Sequence, residues 1–433
     1  MFRLIVKGFI TSILRIEARL VLKKYRPKIL AITGSVGKTG AKEVIATVLA
    51  TKYRVRASQK SFNSEIGVPL TILNLPNAWW SLFGWMKNLV EGVGLILFRS
   101  PYPEWLVLET GVDRPGDMRR LVKWLKPDVV VVTSFPNVPV HVEFFQSSEE
   151  VIREKWRLPA SVVSSGLVIL NGDEEKIRDL LPTLKCHTLT YGLGEKAQVR
   201  GSQPYFVYGE GENGQPIGLG LRVDYQGNSV PFKLIGVLGE HQLYALLAAT
   251  AVAVNEGINL IEASEAIEKL ETPPGRMKLL PGVKNTLIID DTYNSSPVAL
   301  ASALNTLSEL RVTGRKIVVL GDMLELGVHT ISAHREAGVQ AARVAHVLMT
   351  VGLRMKFATE EASRKKMGKK VLHHFEDARE AGKFLQEFIQ EGDVVLIKGS
   401  QSLRMERAVE EIMLHPEDKG KLLVRQEEEW LKK

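Results

Sequence analysis

ILAITGSVGKT, residues 29–39, reads as a strand running straight into a glycine-rich loop. ILAI is a short apolar, partly β-branched run of the kind that makes a strand, and Thr33-Gly34-Ser35-Val36-Gly37-Lys38-Thr39 follows it directly. In a phosphate-binding loop the glycines let backbone N–H groups approach phosphate oxygens. The lysine neutralises the β- and γ-phosphates, and the hydroxyl after it holds Mg2+. The strand before and the helical pattern from about Thr39 are the setting such a loop needs. One position departs from the generic pattern: Ile32 stands five before Gly37, where a Walker loop has glycine. The alternative is a glycine turn with an incidental Gly-Lys-Thr. The phosphate-loop reading assigns Gly34, Ser35, Val36, Gly37, Lys38 and Thr39 to a nucleotide.

Outward from the loop, β-branched runs alternate with helical patterns: ILAIT, WLVLE before a helix after Pro115, and DVVVVTS before a helix after Ser147. That alternation predicts an α/β chain with a mostly parallel sheet. Residues 192–232, rich in glycine and polar side chains, read as antiparallel hairpins, after which GEHQLYALLAATAVAVNEG resumes a helix. A Thr-Pro-Pro-Gly breaker at 272–275 precedes a second alternating series, TLIIDD, RKIVVLGD, HVLMTVG and DVVLIKGS. The expected organisation is a basic amphipathic helix at 1–27, a P-loop central domain at 28–272, and a C-terminal, Rossmann-like doubly wound domain at 273–433. The central domain carries an apolar insertion at 76–103.

With 433 residues, 45% hydrophobic and 24% charged, the chain can bury more than one core. Its single cysteine, Cys186, cannot form an internal disulfide, which fits a cytoplasmic location. The formal net charge is +8, but residues 1–28 hold Arg3, Lys7, Arg15, Arg19, Lys23, Lys24, Arg26 and Lys28 against Glu17 alone. The remainder is near neutral and lacks the basic-aromatic clusters of a nucleic-acid surface, so no nucleic-acid partner is expected. In the first segment Phe2, Ile5, Phe9, Ile13, Ile16 and Leu20 recur at helical spacing. The helix either lies on an anionic membrane or packs on the next domain. The same choice holds for AWWSLFGWMKNLVEGVGLILF, 78–98, with Trp79, Trp80 and Trp85. Lys87 and Glu91 make it a poor spanning segment, so contact is expected to be peripheral, at the inner face of the membrane.

TGSVGKT resembles the shorter loop of the Mur ligases, and SFNSEIGVPLTIL at 61–73 is similar to a segment in the D-alanyl-D-alanine-adding branch of that family. VLETG at 107–111, His141 with Lys155, GEHQLYALLAA at 239–249, PPGRM at 273–277, IIDDTYNSSP at 288–297, LGDMLELG at 320–327, His334 and IKGSQSLRME at 397–406 follow in the family's order, as does the ending LLVRQEEEW. The resemblance covers about residues 28–433. It implies an ATP-dependent ligase of peptidoglycan biosynthesis that activates a peptide carboxylate as an acyl phosphate. Its substrates would be a muropeptide precursor and D-alanyl-D-alanine. Two Mg2+ ions would be held by Thr39, Glu109, His141 and a carbamylated Lys155.

Lys38, Lys155, His141 and Asn294 are the implied catalytic set. Arg276, Asp291 and Tyr293 would reach the nucleotide, and Asn63, Asp322, Glu325, Lys398 and Ser400 would line the substrate side. Taken singly, His141 reads as a surface or core histidine, Lys155 as a solvated helix residue, and Asn294-Ser295-Ser296-Pro297 as a helix cap. The chain departs from the family at Gly40, Gln242 and Ala245, which replace a threonine and two asparagines, and the family's uridine-binding N-terminal domain is not recognisable. That last departure suggests a lipid-linked acceptor. The alternatives are a related ligase with another amino acid, such as a folylpolyglutamate synthetase, or a non-catalytic ATP-binding partner protein.

Overall fold

The computed structural model describes residues 2–59, 62–78, 81–135, 145, 147–211, 214–427 and 430, without the side chains of 2–7 and 369. The chain divides into two compact units. The first holds Met1–Gln203, Leu221–Phe232 and His241–Leu270; the second holds Pro204–Gly220, Lys233–Glu240 and Glu271–Lys433. A division at 272/273 would assign the two short segments of the second unit to the central domain instead.

The first sheet contains β1 (Lys28–Thr33), β2 (Val55–Ala57), β3 (Trp105–Glu109), β4 (Val129–Val132), β5 (Leu167–Asn171), β6 (His187–Gly192), β7 (Val199–Tyr208), β8 (Pro216–Tyr225) and β9 (Asn228–Ile235). Its order is β2-β3-β1-β4-β5-β6-β7-β8-β9, and every pairing from β2 to β7 is parallel. β3 and β4 are buried at every residue, which is why they read as unbroken apolar runs rather than alternating ones.

Around this sheet run α1 (Phe2–Tyr25), α2 (Lys38–Ala50), α3 (Gly67–Leu73), α4 (Leu82–Leu97), α5 (Asp117–Leu121), α6 (Ser148–Trp156), α7 (Glu175–Leu180), α8 (Glu240–Asn255) and α9 (Leu260–Glu268). Ser147 caps α6, its hydroxyl accepting from the N–H of Glu150. On α1, Ile10, Leu14, Ala18 and Val21 are buried in the core of this unit, so the helix does pack on protein. Phe9, Ile16 and Leu20 stay exposed beside that face. Among the described residues no helix is long and apolar enough to cross a membrane.

The second sheet contains β10 (Lys278–Gly282), β11 (Thr286–Asp291), β12 (Lys316–Gly321), β13 (Val347–Val351), β14 (Leu372–Phe375) and β15 (Val394–Lys398), in the order β10-β11-β15-β12-β13-β14. Only β10 runs antiparallel to its neighbour. α10 (Pro297–Glu309), α11 (Thr330–Val344), α12 (Lys356–Arg364), α13 (Ala378–Phe388), α14 (Glu406–Ile412) and the short α15 (Lys419–Leu422) are α-helices of this doubly wound unit. Both expected sheets are therefore present.

Candidate active site

Three adjacent parallel strands bring the site of the first unit together. β1 pairs with β3 and β4 in a register that sets Ile32 beside Glu109 and Thr33 beside Val132. The loops after their carboxyl ends converge, which is where open α/β sheets bind ligands. Gly34 turns the chain into the loop with φ +140, and a Cβ there would lie 2.0 Å from Thr133 Oγ1, so no side chain fits. Gly37 caps α2 in the left-handed conformation, which glycine adopts at little cost.

Lys38 folds back over the loop, its Nζ donating to Gly34 O at 2.9 Å. Thr39 Oγ1 donates to Glu109 Oε2 at 3.0 Å, and Asn63 Nδ2 donates to Glu109 Oε1 at 3.2 Å. Glu109 is buried, so this pair of oxygens is held rigidly at the foot of the loop. Lys155, from the buried face of α6, places Nζ 3.2 Å from Gly34 O and 2.9 Å from Ser35 Oγ. Burial, and secondarily the charge of Lys38, pulls its pKa down to about 7, against a smaller opposing pull from Asp113.

A hydroxyl and a carboxylate 3.0 Å apart beside a phosphate loop are the hard oxygen donors that Mg2+ takes, the remaining positions going to phosphate and water. The donor set therefore fits one ion. Among the described residues no three His, Cys, Asp or Glu side chains cluster as a metal site, and His141 lies outside the described residues. Lys155 as an ammonium repels a cation; only as a carbamate does it become an oxygen donor.

In the second unit, Arg276 stacks on Tyr293 with 4.1 Å from guanidinium carbon to ring centroid. Asp291 pairs with buried Lys398 at 2.6 Å, and Lys398 also donates to Asn294 O at 3.0 Å. Asp322 is buried, its Oδ1 accepting from Met355 N at 2.8 Å, while Ser400 Oγ accepts from Leu324 N at 2.9 Å. His334 Nε2 accepts from Met323 N at 3.1 Å. Glu325 is exposed, with φ +59. Ser296 caps α10, so the expected cap at 294–297 exists next to Asp291 and Tyr293.

Sequence reasoning assigned no role to three residues that shape this loop. Arg425 donates to Tyr293 O at 3.0 Å and to Thr292 O, while pairing with Glu406 at 2.7 Å, and Glu406 also pairs with Arg404. Positive φ at Arg404 and Arg425 gave no signal, because neither is glycine or asparagine.

Residues 92–253 match the Mur ligase middle domain and residues 275–401 the Mur ligase glutamate ligase domain. The chain belongs to the Mur ligase family. Mur ligases are ATP-dependent ligases. UDP-N-acetylmuramoyl-tripeptide--D-alanyl-D-alanine ligase of Bacillus subtilis is 27% identical over 401 residues, 92% of this chain and 79% of that protein. The enzyme of the same name from Haemophilus influenzae is 27% identical over 411 residues, 90% of this chain and 78% of that one. The crystal structure of MurF ligase from Thermotoga maritima in complex with ADP superposes with TM-score 0.74 at 26% identity, covering 93% of this chain and 83% of that one.

The three departures of this Mur ligase from the family pattern turn out to be neighbours. A Cβ on Gly40 would meet Gln242 Oε1 at 3.2 Å and Ala245 Cβ at 3.7 Å. A longer amide on α8 thus occupies the space that a larger side chain on α2 would need. The changes form one repacked contact behind the phosphate loop, and Lys38 and Thr39 keep their places in front of it.

Proposed function

We propose that this Mur ligase joins D-alanyl-D-alanine to the terminal carboxylate of a muramoyl tripeptide in peptidoglycan biosynthesis, in the cytoplasm. The reading is carried by the Thr39–Glu109–Asn63 set and Lys155 on either side of one phosphate loop. A carboxylate oxygen of the tripeptide attacks the γ-phosphorus of ATP and ADP leaves. The amine of the dipeptide then adds to the acyl carbon, loses a proton, and expels phosphate to leave an amide.

Lys38 and the loop amides hold the transferring phosphoryl group, so positioning and electrostatics supply most of the rate. Mg2+, held at one position by Thr39 and Glu109, would neutralise phosphate charge; a second ion would use His141 and a carbamylated Lys155. Arg276, Asp291, Tyr293 and Asn294 are assigned to the nucleotide side, and Asp322, Glu325, Lys398 and Ser400 to the incoming dipeptide. The Asp291–Lys398 pair supports treating those two as one unit that shapes the loop.

Peripheral contact with the inner face of the membrane through 1–27 and 78–98, with a lipid-linked acceptor, belongs to the same reading. It is supported by exposed Phe9, Ile16 and Leu20 on α1 and exposed Phe83, Met86 and Val90 on α4; Trp79 and Trp80 lie outside the described residues. The test is phosphate release from ATP and Mg2+ with D-alanyl-D-alanine and a muramoyl tripeptide, carried once on uridine diphosphate and once on a lipid. Release that needs both substrates and favours the lipid carrier is expected. Release with neither carrier, from folded protein that binds ATP, overturns the reaction; preference for the soluble carrier overturns only the lipid-linked acceptor.

A further inference from the structure

Resting on the peripheral-membrane reading, the geometry points to one docking face, built by α1 and α4 together, that lies in the plane of an anionic lipid leaflet. The two helices run side by side in the same direction. Glu17 packs against Gly92, where a Cβ would come within 2.2 Å of its Oε2. Further along, Lys24 Nζ donates to Leu95 O at 2.9 Å and Ile96 O at 3.0 Å, and the Tyr25 hydroxyl lies 3.2 Å from Phe98 O. A cation on the carbonyl end of a helix is stabilising, so α1 supplies the C-terminal cap of α4 and fixes the pair as one body.

Each helix is apolar on a side the protein does not cover. On α4, Leu82, Met86, Val90, Val93 and Leu97 recur three or four residues apart and are exposed, as is Phe83 at 79%. On α1 the exposed row is Phe9, Ile16 and Leu20. Arg15 and Arg19 precede Ile16 and Leu20 by one residue, about 100° round the helix, and Lys23 continues their row. The result is an apolar strip with basic side chains along one edge, long enough to lie on a bilayer and unable to cross it.

Charge selects the occupant. An anionic leaflet gains roughly fivefold in affinity for each such cation near its surface. A second copy of the chain would instead bring the same basic row to the contact. Their stems can lie along the apolar strip while the charged ends reach phosphate oxygens.

The experiment is flotation of the full chain with vesicles of phosphatidylcholine alone or mixed with phosphatidylglycerol, at low and high salt. Binding to the mixed vesicles, weakened by salt, is expected. Phe83→Ser with Val90→Ser should weaken it about tenfold or more, from the loss of inserted apolar surface. Arg19→Glu with Lys23→Glu should abolish the preference for the anionic lipid. Neither pair touches the phosphate loop, so phosphate release on the soluble carrier should not change, and circular dichroism verifies folding. Vesicle binding that survives both pairs overturns this face while leaving the membrane reading in place; no binding by the parent chain overturns both. A Ser pair that converts a dimer to a monomer without altering vesicle binding assigns the strip to a second copy and overturns the proposal.

Discussion

Lys155 offers the sharpest test of the site, because only a neutral amine can attack CO2 to form a carbamate. An ordinary lysine, with its pKa near 10.5, is neutral to about three parts in ten thousand at pH 7. With its pKa pulled down to about 7, Lys155 is neutral in roughly half the molecules. Burial therefore raises the reactive fraction roughly a thousandfold at the same CO2 concentration. The folded protein, supplied with 13C-bicarbonate, should show a carbamate carbon resonance whose intensity rises with pH around 7. Lys155→Met should remove it, and depleting CO2 should lower steady-state phosphate release in the parent alone. The Met variant also controls for the amino terminus, which carbamylates slightly in any protein. No Lys155-dependent resonance above neutral pH, with phosphate release indifferent to bicarbonate, would show that Lys155 works as an amine.

Gly40→Thr should cost about 1–3 kcal/mol by overpacking against Gln242, and Gln242→Asn should recover part of it; chemical denaturation of all four species checks this, and strict additivity would rule the contact out. Glu109→Gln should weaken Mg2+-dependent nucleotide binding about tenfold while leaving Mg2+-free binding nearly unchanged, as calorimetry with and without the ion can show. Burial raises the Glu17 pKa to about 7, so its cost to stability is absent below about pH 4.5, grows between there and 7, and is complete above. Glu17→Gln should accordingly stabilise the chain by about 2 kcal/mol near pH 8 and not near pH 4, read from unfolding at both pH values. Arg425→Ala should cost about 3 kcal/mol by leaving Glu406 buried with one partner fewer, measured the same way.

The sequence announces elements whose residues meet only one demand. β3 and β4 are buried throughout and β1 from Ile29 onward, so their apolar runs are unambiguous; Gly34 sits where no side chain fits, and Gly37 holds a φ of +84 that favours glycine. β10 and β14 escape notice for opposite reasons. Lys-Leu-Leu-Pro-Gly ends in two residues that usually break strands, yet β10 is an edge strand and needs no full ladder. Leu-His-His-Phe is half-buried and polar in the middle, with His374 Nδ1 2.9 Å from Thr350 Oγ1 across the pair. α1 shows its amphipathic pattern plainly in the sequence, but periodicity alone does not say that one apolar row faces protein while a second stays open.

The site shows the same limit in another form. Spacing and resemblance can name Thr39, Glu109 and Lys155, but they carry no information about which groups oppose one another. Lys38 and Lys155 both donate to the carbonyl oxygen of Gly34, at 2.9 Å and 3.2 Å, so two amines crowd one acceptor. Such crowding favours loss of charge on the more buried of the two, which is Lys155. Turning it into a carbamate changes the local charge from positive to negative and converts repulsion from Lys38 into attraction. A departure just behind the phosphate loop, at Gly40 on α2, is absorbed by α8 without disturbing this arrangement. The loop can therefore vary behind its lysine while the pairing of the two amines, which no linear pattern displays, sets what the front of the site can bind.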